Sequence, residues 1–437
     1  MEIIDLRSSN TPPLGDRGVG GGAVLSRPVF DTRSLEETVG NILQEVKKNG
    51  DAAVRKFSLQ FDKVSPDNLE VSSSEIGDAV KLVDEELKQA IGLAKAHIEA
   101  FHRRQVQGVE RVETMPGVQC WRKAVPIEKV GLYIPGGTAP LFSTLLMLAI
   151  PARLAGCREI VLCSPPDQQG RLHPAILYAA QLVGVTRIFK AGGVQAIAAM
   201  AYGTATIPGV YKIFGPGNQY VTAAKQLVQR DGLAIDMPAG PSEVAVYADE
   251  TAYPAYAAAD LLSQAEHGID SQVILVSPSP EMIKKILEEV DRQVETLPRA
   301  AIAHKALENS RAILVSNEGA AMDLLNEYAP EHLILACKNA EELAERVINA
   351  GSVFIGHFSP ESVGDYASGT NHVLPTNGYA KAYSGVSLDS FVKKITFQQL
   401  TREGIRNIGG AVERMAEAEG LEAHARAVRV RMGNVEC

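Results

Sequence analysis

The feature that most constrains the fold is a regular alternation of short β-branched runs with helical segments, which begins at Val130. The strand-like runs are VGLYIP, EIVLCSP, TRIFKAGG, YKIFGPG, EVAVYAD, VILVSP, AILVS, HLILAC and SVFIG. Because strand–helix–strand units make parallel neighbours, this alternation favours parallel sheets with helices on both faces. A chain of 437 residues exceeds what one hydrophobic core usually supports. We therefore predict an α/β fold with two Rossmann-like, doubly wound domains.

The regions on either side of this alternation have a different character. Residues 1–30 are rich in Gly, Pro and Ser, which predicts an irregular N-terminal arm. Apolar residues recur at helical spacing over residues 34–50 and 83–104, which predicts two long helices. From residue 382 onward the pattern is again that of amphipathic helix with few strand signals. We therefore predict a helical C-terminal tail.

Composition and charge exclude several classes of function. The net charge is -9 and no basic block is long, so a nucleic-acid surface is not indicated. The longest apolar stretch, residues 145–151, is far too short to span a bilayer, and the start MEIIDLRSS does not resemble a signal peptide. The five cysteines have no CxxC spacing, which is typical of a reducing compartment. We expect a cytoplasmic protein.

Three glycine-rich turns follow predicted strands and precede predicted helices. They are Pro135-Gly136-Gly137-Thr138, Ala191-Gly192-Gly193-Val194-Gln195 and Gly215-Pro216-Gly217-Asn218. Such turns let backbone N–H groups approach an anion closely. None has the GxGxxG pattern, and a tight turn without a ligand is an equally good interpretation of each one alone. Three of them along one sheet edge favour a ligand site there.

Polar residues with potential chemistry occur in four places. They are Gln264 with His267 on one predicted helix, Glu331-His332 at the start of HLILAC, Asp365 and His372 around a Gly/Ser-rich loop, and Glu419 and His424 in the tail. A single histidine near a helix surface is more often solvated or packed than functional, and no HExxH or CxxC spacing unites these residues. The Glu331-His332 pair is the most suggestive, because a carboxylate and an imidazole together can act as two distinct bases.

Seven separated blocks, in order, resemble the histidinol dehydrogenase family. They are VGLYIPGGTAPLFSTLLM, FGPGNQYV, DMPAGPSEV, DLLSQAEHG, APEHLIL, VGDYASGTNHVLPT and AEGLEAH. The resemblance extends from about residue 50 to the C-terminus, and the N-terminal arm contributes nothing to it. It implies oxidation of L-histidinol through L-histidinaldehyde to L-histidine with two NAD molecules, the last steps of histidine biosynthesis.

The same resemblance implies roles for particular side chains. One zinc ion per subunit would be bound by Gln264, His267, Asp365 and His424. The acid–base residues would be Glu331 and His332. Contacts to the substrate would come from Ser242, Gln264, His267, His332, Asp365, His372, Glu419 and His424. Contacts to NAD would come from Tyr133, Gln195 and Asn218, which lie in or beside the three glycine-rich turns.

The resemblance also implies an organisation of the chain. We expect residues 129–242 to form an NAD-binding α/β domain. Residues 31–128 and 243–381 would form a discontinuous α/β domain with the zinc and catalytic residues. Residues 382–437 would form a dimerisation tail that completes the active site of the partner in a homodimer.

Three other readings stay open. A related zinc- and NAD-dependent dehydrogenase could oxidise a different small alcohol, although AEGLEAH favours histidinol. An enzyme resembling aldehyde dehydrogenases would use a cysteine thiolate, which needs an exposed, electropositive setting. A binding protein without activity would explain the glycine-rich turns but not the Glu331-His332 pair.

Overall fold

The protein is described by a computed structural model that covers residues 1–7, 24–27, 32–136 and 140–433. The elements of the first half are, in chain order, β1 (Glu2–Asp5), α1 (Thr32–Asn49), α2 (Asp51–Phe61), α3 (Ser73–Leu82), α4 (Glu85–Arg103), β2 (Arg111–Met115), β3 (Val118–Pro126), β4 (Lys129–Tyr133), α5 (Phe142–Ala155), β5 (Glu159–Ser164), α6 (Pro174–Val183), β6 (Arg187–Lys190), α7 (Gly193–Tyr202), β7 (Lys212–Phe214), α8 (Gln219–Arg230) and β8 (Ala234–Ile235).

The second half continues the alternation and ends in helices. Its elements are β9 (Glu243–Ala248), α9 (Pro254–Ala265), β10 (Gln272–Ser277), α10 (Pro280–Val294), α11 (Ala300–Glu308), β11 (Arg311–Leu314), α12 (Glu318–Tyr328), β12 (His332–Ala336), α13 (Ala340–Ala344), β13 (Ser352–Ile355), α14 (Glu361–Tyr366), two 3-10 turns (Tyr379–Lys381 and Leu388–Phe391), β14 (Val392–Leu400), α15 (Arg402–Ala418) and α16 (Glu422–Met432). The α/β fold predicted from the alternating runs is confirmed, and each of the nine runs contains a strand.

A five-stranded parallel sheet has the order β6-β5-β4-β7-β8. Apolar cores lie on both of its faces, and this explains why its strands are almost continuously apolar. Helices α1 to α4 contribute to these same two cores. The sequence-based division assigned residues 31–128 to the same domain as residues 243–381. Helices α1 to α4 instead pack on the sheet formed by residues 129–242. Their apolar stripes have no feature that specifies which sheet they cover.

A six-stranded parallel sheet has the order β1-β11-β10-β9-β12-β13. It too has a core on each face, with alternate residues of each strand pointing to opposite sides. The strand β1 corrects the expectation of an irregular arm over residues 1–30, because Glu2–Asp5 pairs with β11 at the edge of this sheet. The Gly-rich residues 18–22 of that arm lie outside the described residues.

Residues 392–400 of the C-terminal tail form a strand and not a helix, contrary to the prediction. Strand β14 pairs with β3 over its whole length, and β2 completes an antiparallel three-stranded sheet. The segment VKKITFQQL contains β-branched and aromatic residues, and its partner lies more than 260 residues away in sequence, so local spacing alone misleads. The rest of the tail, α15 and α16, is helical as predicted. In the described part of the chain, no helix is both long and apolar enough to cross a membrane.

Candidate active site

Glu331 and His332, the predicted acid–base residues, lie at the amino edge of the six-stranded sheet. His332 is the first residue of β12, and the two-residue period of the strand places it on the same face as Ile334, which packs in the core beneath α9 and α10. Its ring is 3% exposed. Gln264, near the end of α9, brings its amide Nε2 to 2.9 Å from the ring Nδ1 of His332. The helix and the strand therefore meet at these two predicted residues.

Glu331 is held by the first residue of the neighbouring strand. One carboxylate oxygen of Glu331 accepts a hydrogen bond from the backbone N–H of Glu243 at 2.8 Å and lies 3.6 Å from Nδ1 of His332. The side chain is buried, and burial raises the pKa of its carboxyl. The other carboxylate oxygen is left available for a proton.

The ring of His332 has two possible partners at Nδ1. Besides Gln264, the carbonyl oxygen of Glu243 lies 3.1 Å from this nitrogen. Nδ1 can donate to the carbonyl or accept from the amide, but not both at once. When it donates to the carbonyl, Nε2 has a free lone pair. Burial lowers the pKa of His332, but the nearby carboxylates of Glu331 and Asp365 outweigh this effect and raise it.

Asp365 on α14 faces several histidines. Its Oδ1 lies 3.5 Å from Nε2 of His332, and its charge interacts with His372 and His267. Burial would raise the pKa of Asp365, but the histidines outweigh it and the pKa is lowered. The backbone oxygen of Asp365 accepts from Nδ1 of His372 at 2.7 Å, so Nδ1 carries the proton there. Nε2 of His372 then accepts from the hydroxyl of Thr144 at 3.0 Å.

The chemistry of this cluster suits a divalent transition metal. Nε2 of His332 and Oδ1 of Asp365 are both buried without a hydrogen-bond partner. The amide nitrogen of Gln264 lies 3.3 Å from a carboxylate oxygen of Glu361. The expected ligands Gln264, His267, Asp365 and His424 offer an amide oxygen, a carboxylate and two imidazole nitrogens, and such a mixture of donors is compatible with zinc. Over the described ranges no three His, Cys, Asp or Glu side chains converge on one point, because one expected ligand is an amide and another lies elsewhere.

The remaining expected zinc ligand, His424, is in the C-terminal tail. His424 on α16 and Glu419 at the end of α15 are both exposed, and neither side chain makes a hydrogen bond or ion pair within the described residues. The chain brings neither of them into contact with Asp365. Ser242 does lie near the cluster, because it directly precedes Glu243 at the start of β9.

The three residues expected to contact NAD line one cavity of about 880 Å³. Tyr133 ends β4, Gln195 lies in the first turn of α7, and Asn218 caps α8, so all three lie at the carboxyl edge of the five-stranded sheet. The hydroxyl of Tyr133 accepts from the backbone N–H of Gly193 at 3.1 Å. The side chain of Gln195 is fully buried, and its Oε1 has no partner. Of the first glycine-rich turn, Gly137 and Thr138 lie outside the described residues.

The backbone at this edge requires glycine at one position. Gly215, at the end of β7, has a φ of +127°, and an added Cβ would lie 2.0 Å from the backbone oxygen of Tyr133. The close approach of β4 and β7 falls where the strand order reverses, which is where ligands usually bind in open α/β sheets. A cavity of this size is within the range of small-molecule and cofactor sites.

The sequence did not point to several residues of these sites. Asp62 lines the cavity and accepts from Nε2 of Gln195 at 3.4 Å, and burial raises its pKa to about 6. Glu361 is buried and accepts from Ser263 as well as Gln264. Glu361 and Asp365 are four residues apart on one helix, which is a signal that could have revealed the former. Asp62 follows a helix end and has no such signal.

Helix α5 connects the two sites. Pro140, just before it, lines the cavity, while Thr144 in its first turn contacts His372. The fold and these two sites together define an α/β protein with a buried carboxylate–imidazole pair and a separate cavity of cofactor size, linked by helix α5.

Comparison with known proteins identifies the family. A sequence model described as histidinol dehydrogenase matches residues 25–432. The histidinol dehydrogenase of Bacteroides thetaiotaomicron is 62% identical over 94% of this chain and 96% of its own length. That of Bacteroides fragilis is 61% identical over 94% and 96%. A crystal structure of histidinol dehydrogenase from Elizabethkingia anophelis is 56% identical, covers 94% of both chains and superposes with a TM-score of 0.92. The chain belongs to the histidinol dehydrogenase family, which is a family of oxidoreductases.

Proposed function

We propose that this protein is a zinc- and NAD-dependent histidinol dehydrogenase, which oxidises L-histidinol to L-histidine through the aldehyde. The observation that carries the proposal is the buried Glu331-His332 pair, in which Nε2 of the imidazole is buried without a hydrogen-bond partner and one carboxylate oxygen is held by the backbone N–H of Glu243. Two successive oxidations of one carbon need a base for the alcohol proton and a base for the attacking water, and the pair offers one of each.

The first step uses His332. With Nδ1 donating to the carbonyl of Glu243, Nε2 is the base that takes the proton of the alcohol. The low exposure of this ring keeps bulk water away from the reacting atoms. NAD, bound in the cavity, would accept the hydride in each of the two oxidations.

The second step uses Glu331. Its carboxylate takes a proton from water as the water oxygen adds to the aldehyde carbon, and the protonated His332 returns its proton to the aldehyde oxygen, so that the hydrate forms and His332 is neutral again. His332 then takes the hydroxyl proton of the hydrate in the second oxidation. The pair is fixed at one strand edge, so the aldehyde has no need to leave between the steps.

The ligands of the metal would be Gln264, His267 and Asp365 of one chain and His424 of the partner. A zinc ion there would anchor the amine and imidazole nitrogens of the substrate and, by offsetting the charge of Asp365, would lower the pKa of His332. Ser242 and His372 would contact the substrate from the sides of the same cluster. Glu419 would accept a charge-assisted hydrogen bond from the substrate amine or imidazole.

The cofactor would bind through the three cavity residues. The buried Oε1 of Gln195 lacks a donor, which a ribose or adenine group can supply. Asn218 uses its side-chain oxygen to cap α8, and this leaves its amide nitrogen to donate to the cofactor. The starts of α7 and α8 at the cavity wall suit the pyrophosphate.

A homodimer would bring the tail to the site. Glu419 and His424 have the polar character expected of site residues, but they lie exposed and without partners in the described chain. Closed two-fold symmetry would make the exchange reciprocal, with each tail completing the other site.

The cysteines argue against the thiohemiacetal alternative. Cys157, Cys163 and Cys337 are buried, and burial raises the pKa of each thiol. A nucleophilic cysteine requires the opposite shift. None of them lines the large cavity.

The direct test is NADH formation with L-histidinol. We expect two NADH per histidinol, loss of activity after chelation and its return with added zinc. One NADH per histidinol, with the aldehyde trapped in full yield by semicarbazide, would contradict the two-step proposal.

A further inference from the structure

We propose that Arg27, in the N-terminal arm, is a positioning residue for both members of the acid–base pair, and this inference rests on the function proposed above. Arg27 lies far from Glu331 and His332 in sequence, and nothing in its own surroundings in the chain predicts a role. Its side chain reaches Glu243, the residue whose backbone contacts both of them.

The contact between Arg27 and Glu243 is buried and bidentate. Nε and Nη2 of Arg27 donate to the two carboxylate oxygens of Glu243 at 2.5 and 3.0 Å, and the side chains are 16% and 3% exposed. Nη2 also donates to the backbone oxygen of Tyr328 at 2.8 Å, and the guanidinium lies 4.0 Å from the centre of the Tyr328 ring. A planar guanidinium held by three hydrogen bonds has little freedom to move.

Glu243 transmits this constraint to the catalytic pair through its main chain. Its N–H holds one oxygen of Glu331, and its carbonyl lies within hydrogen-bond distance of Nδ1 of His332. The first bond decides which carboxylate oxygen remains for water. The second selects the form of the imidazole that leaves Nε2 as a base. A shift of β9 at its first residue therefore disturbs both groups together.

The charge of Glu243 makes Arg27 necessary. A carboxylate that is 3% exposed is costly unless it is paired, and Arg27 is its only ion-pair partner in the described part of the chain. Asn377 adds a backbone N–H to Oε1 at 3.0 Å, which supplies a hydrogen bond but no charge. Without Arg27 the carboxylate is expected to turn toward solvent and to take its backbone with it.

The test is Arg27→Met and Arg27→Lys in the full-length, zinc-loaded enzyme. Arg187→Met is a matched control. Arg187 also donates two hydrogen bonds to a glutamate (Glu70) and one to a backbone oxygen, and it lies over the Phe189 ring. It belongs to the five-stranded sheet, away from the Glu331-His332 pair. We expect Arg27→Met to lower kcat at least about tenfold in both oxidations, with KM for histidinol and NAD nearly unchanged, since small misplacements of reacting groups cost this much. Arg27→Lys keeps the positive charge but cannot form the bidentate contact, and it should recover part of kcat. Arg187→Met should keep kcat.

A second measurement does not depend on turnover. The ¹⁵N shifts of the His332 ring, assigned with His332→Asn, report the hydrogen bond at Nδ1 and should change in both Arg27 variants but not in Arg187→Met. If Arg27→Met does not fold, Arg27→Lys carries both readouts. A folded Arg27 variant with wild-type kcat and unchanged His332 shifts overturns the inference. Wild-type protein that forms no NADH from histidinol overturns the proposed function instead, while the ring shifts still decide whether Arg27 positions His332.

Discussion

Replacement of Glu331 by glutamine separates the two oxidations that we assign to one site. The substitution is nearly isosteric, and the backbone N–H of Glu243 that now donates to the carboxylate at 2.8 Å can donate to the amide oxygen instead. The side chain should therefore stay in place. What disappears is the second carboxylate oxygen, the one available to take a proton from water.

The expected size of the effect follows from that single loss. Positioned general bases typically contribute about 10²- to 10⁴-fold in rate. We expect oxidation of the aldehyde to slow by roughly 10²- to 10³-fold, equivalent to about 2.7 to 4.1 kcal/mol of barrier. Oxidation of the alcohol requires only His332 and should change by less than about tenfold, because the loss of the neighbouring charge alters only the basicity of the ring.

Single-turnover NADH formation, started separately from histidinol and from histidinaldehyde, measures both steps. Glu327→Gln is the control, since Glu327 lies four residues before Glu331 and its carboxylate is exposed and paired with Lys381. Free aldehyde should accumulate with Glu331→Gln and not with Glu327→Gln. Equal slowing of the two half-reactions in Glu331→Gln would refute the division of roles between Glu331 and His332.

Three further outcomes are expected. Cys120→Ala and Cys157→Ala should keep most of the activity, and a loss above about 100-fold in turnover with the fold intact would revive a thiolate mechanism. A refolded mixture of the inactive variants His332→Asn and His424→Ala should regain roughly a quarter of wild-type activity, the statistical yield of whole sites in randomly paired two-fold dimers. No recovery, with heterodimers confirmed by mass, would place His424 in its own chain. Because burial raises the pKa of Asp62 to about 6, its carboxylate is lost as the pH falls through that value, and KM for NAD should rise there. Asp62→Asn should remove this pH dependence, and an identical profile in both proteins would exclude Asp62 from cofactor binding.

Nine strands of the two parallel sheets, and the helices that alternate with them, could be predicted from the sequence, because they depend on patterns that are local. Continuous apolar runs such as EVAVYA mark strands buried on both faces, and the glycine-rich turns mark the points where they end. The three residues expected to bind NAD line one cavity because each lies at or soon after the carboxyl end of a strand, and the carboxyl ends of parallel strands share an edge.

Only the tertiary structure decided which distant segments meet. Strand β14 exists because β3 pairs with it, and its own spacing was compatible with a helix. The helices before β2 pack on the five-stranded sheet, although nothing in their apolar stripes selects it.

The same limit applies to the candidate site. The pair Glu331-His332 stands out in the sequence, but Glu243 and Arg27, 216 residues apart, meet through a contact that no local pattern encodes. Sequence periodicity determines which face of an element is buried. Which buried charges then neutralise each other depends on the packing of whole layers, and that is settled only when the chain is folded.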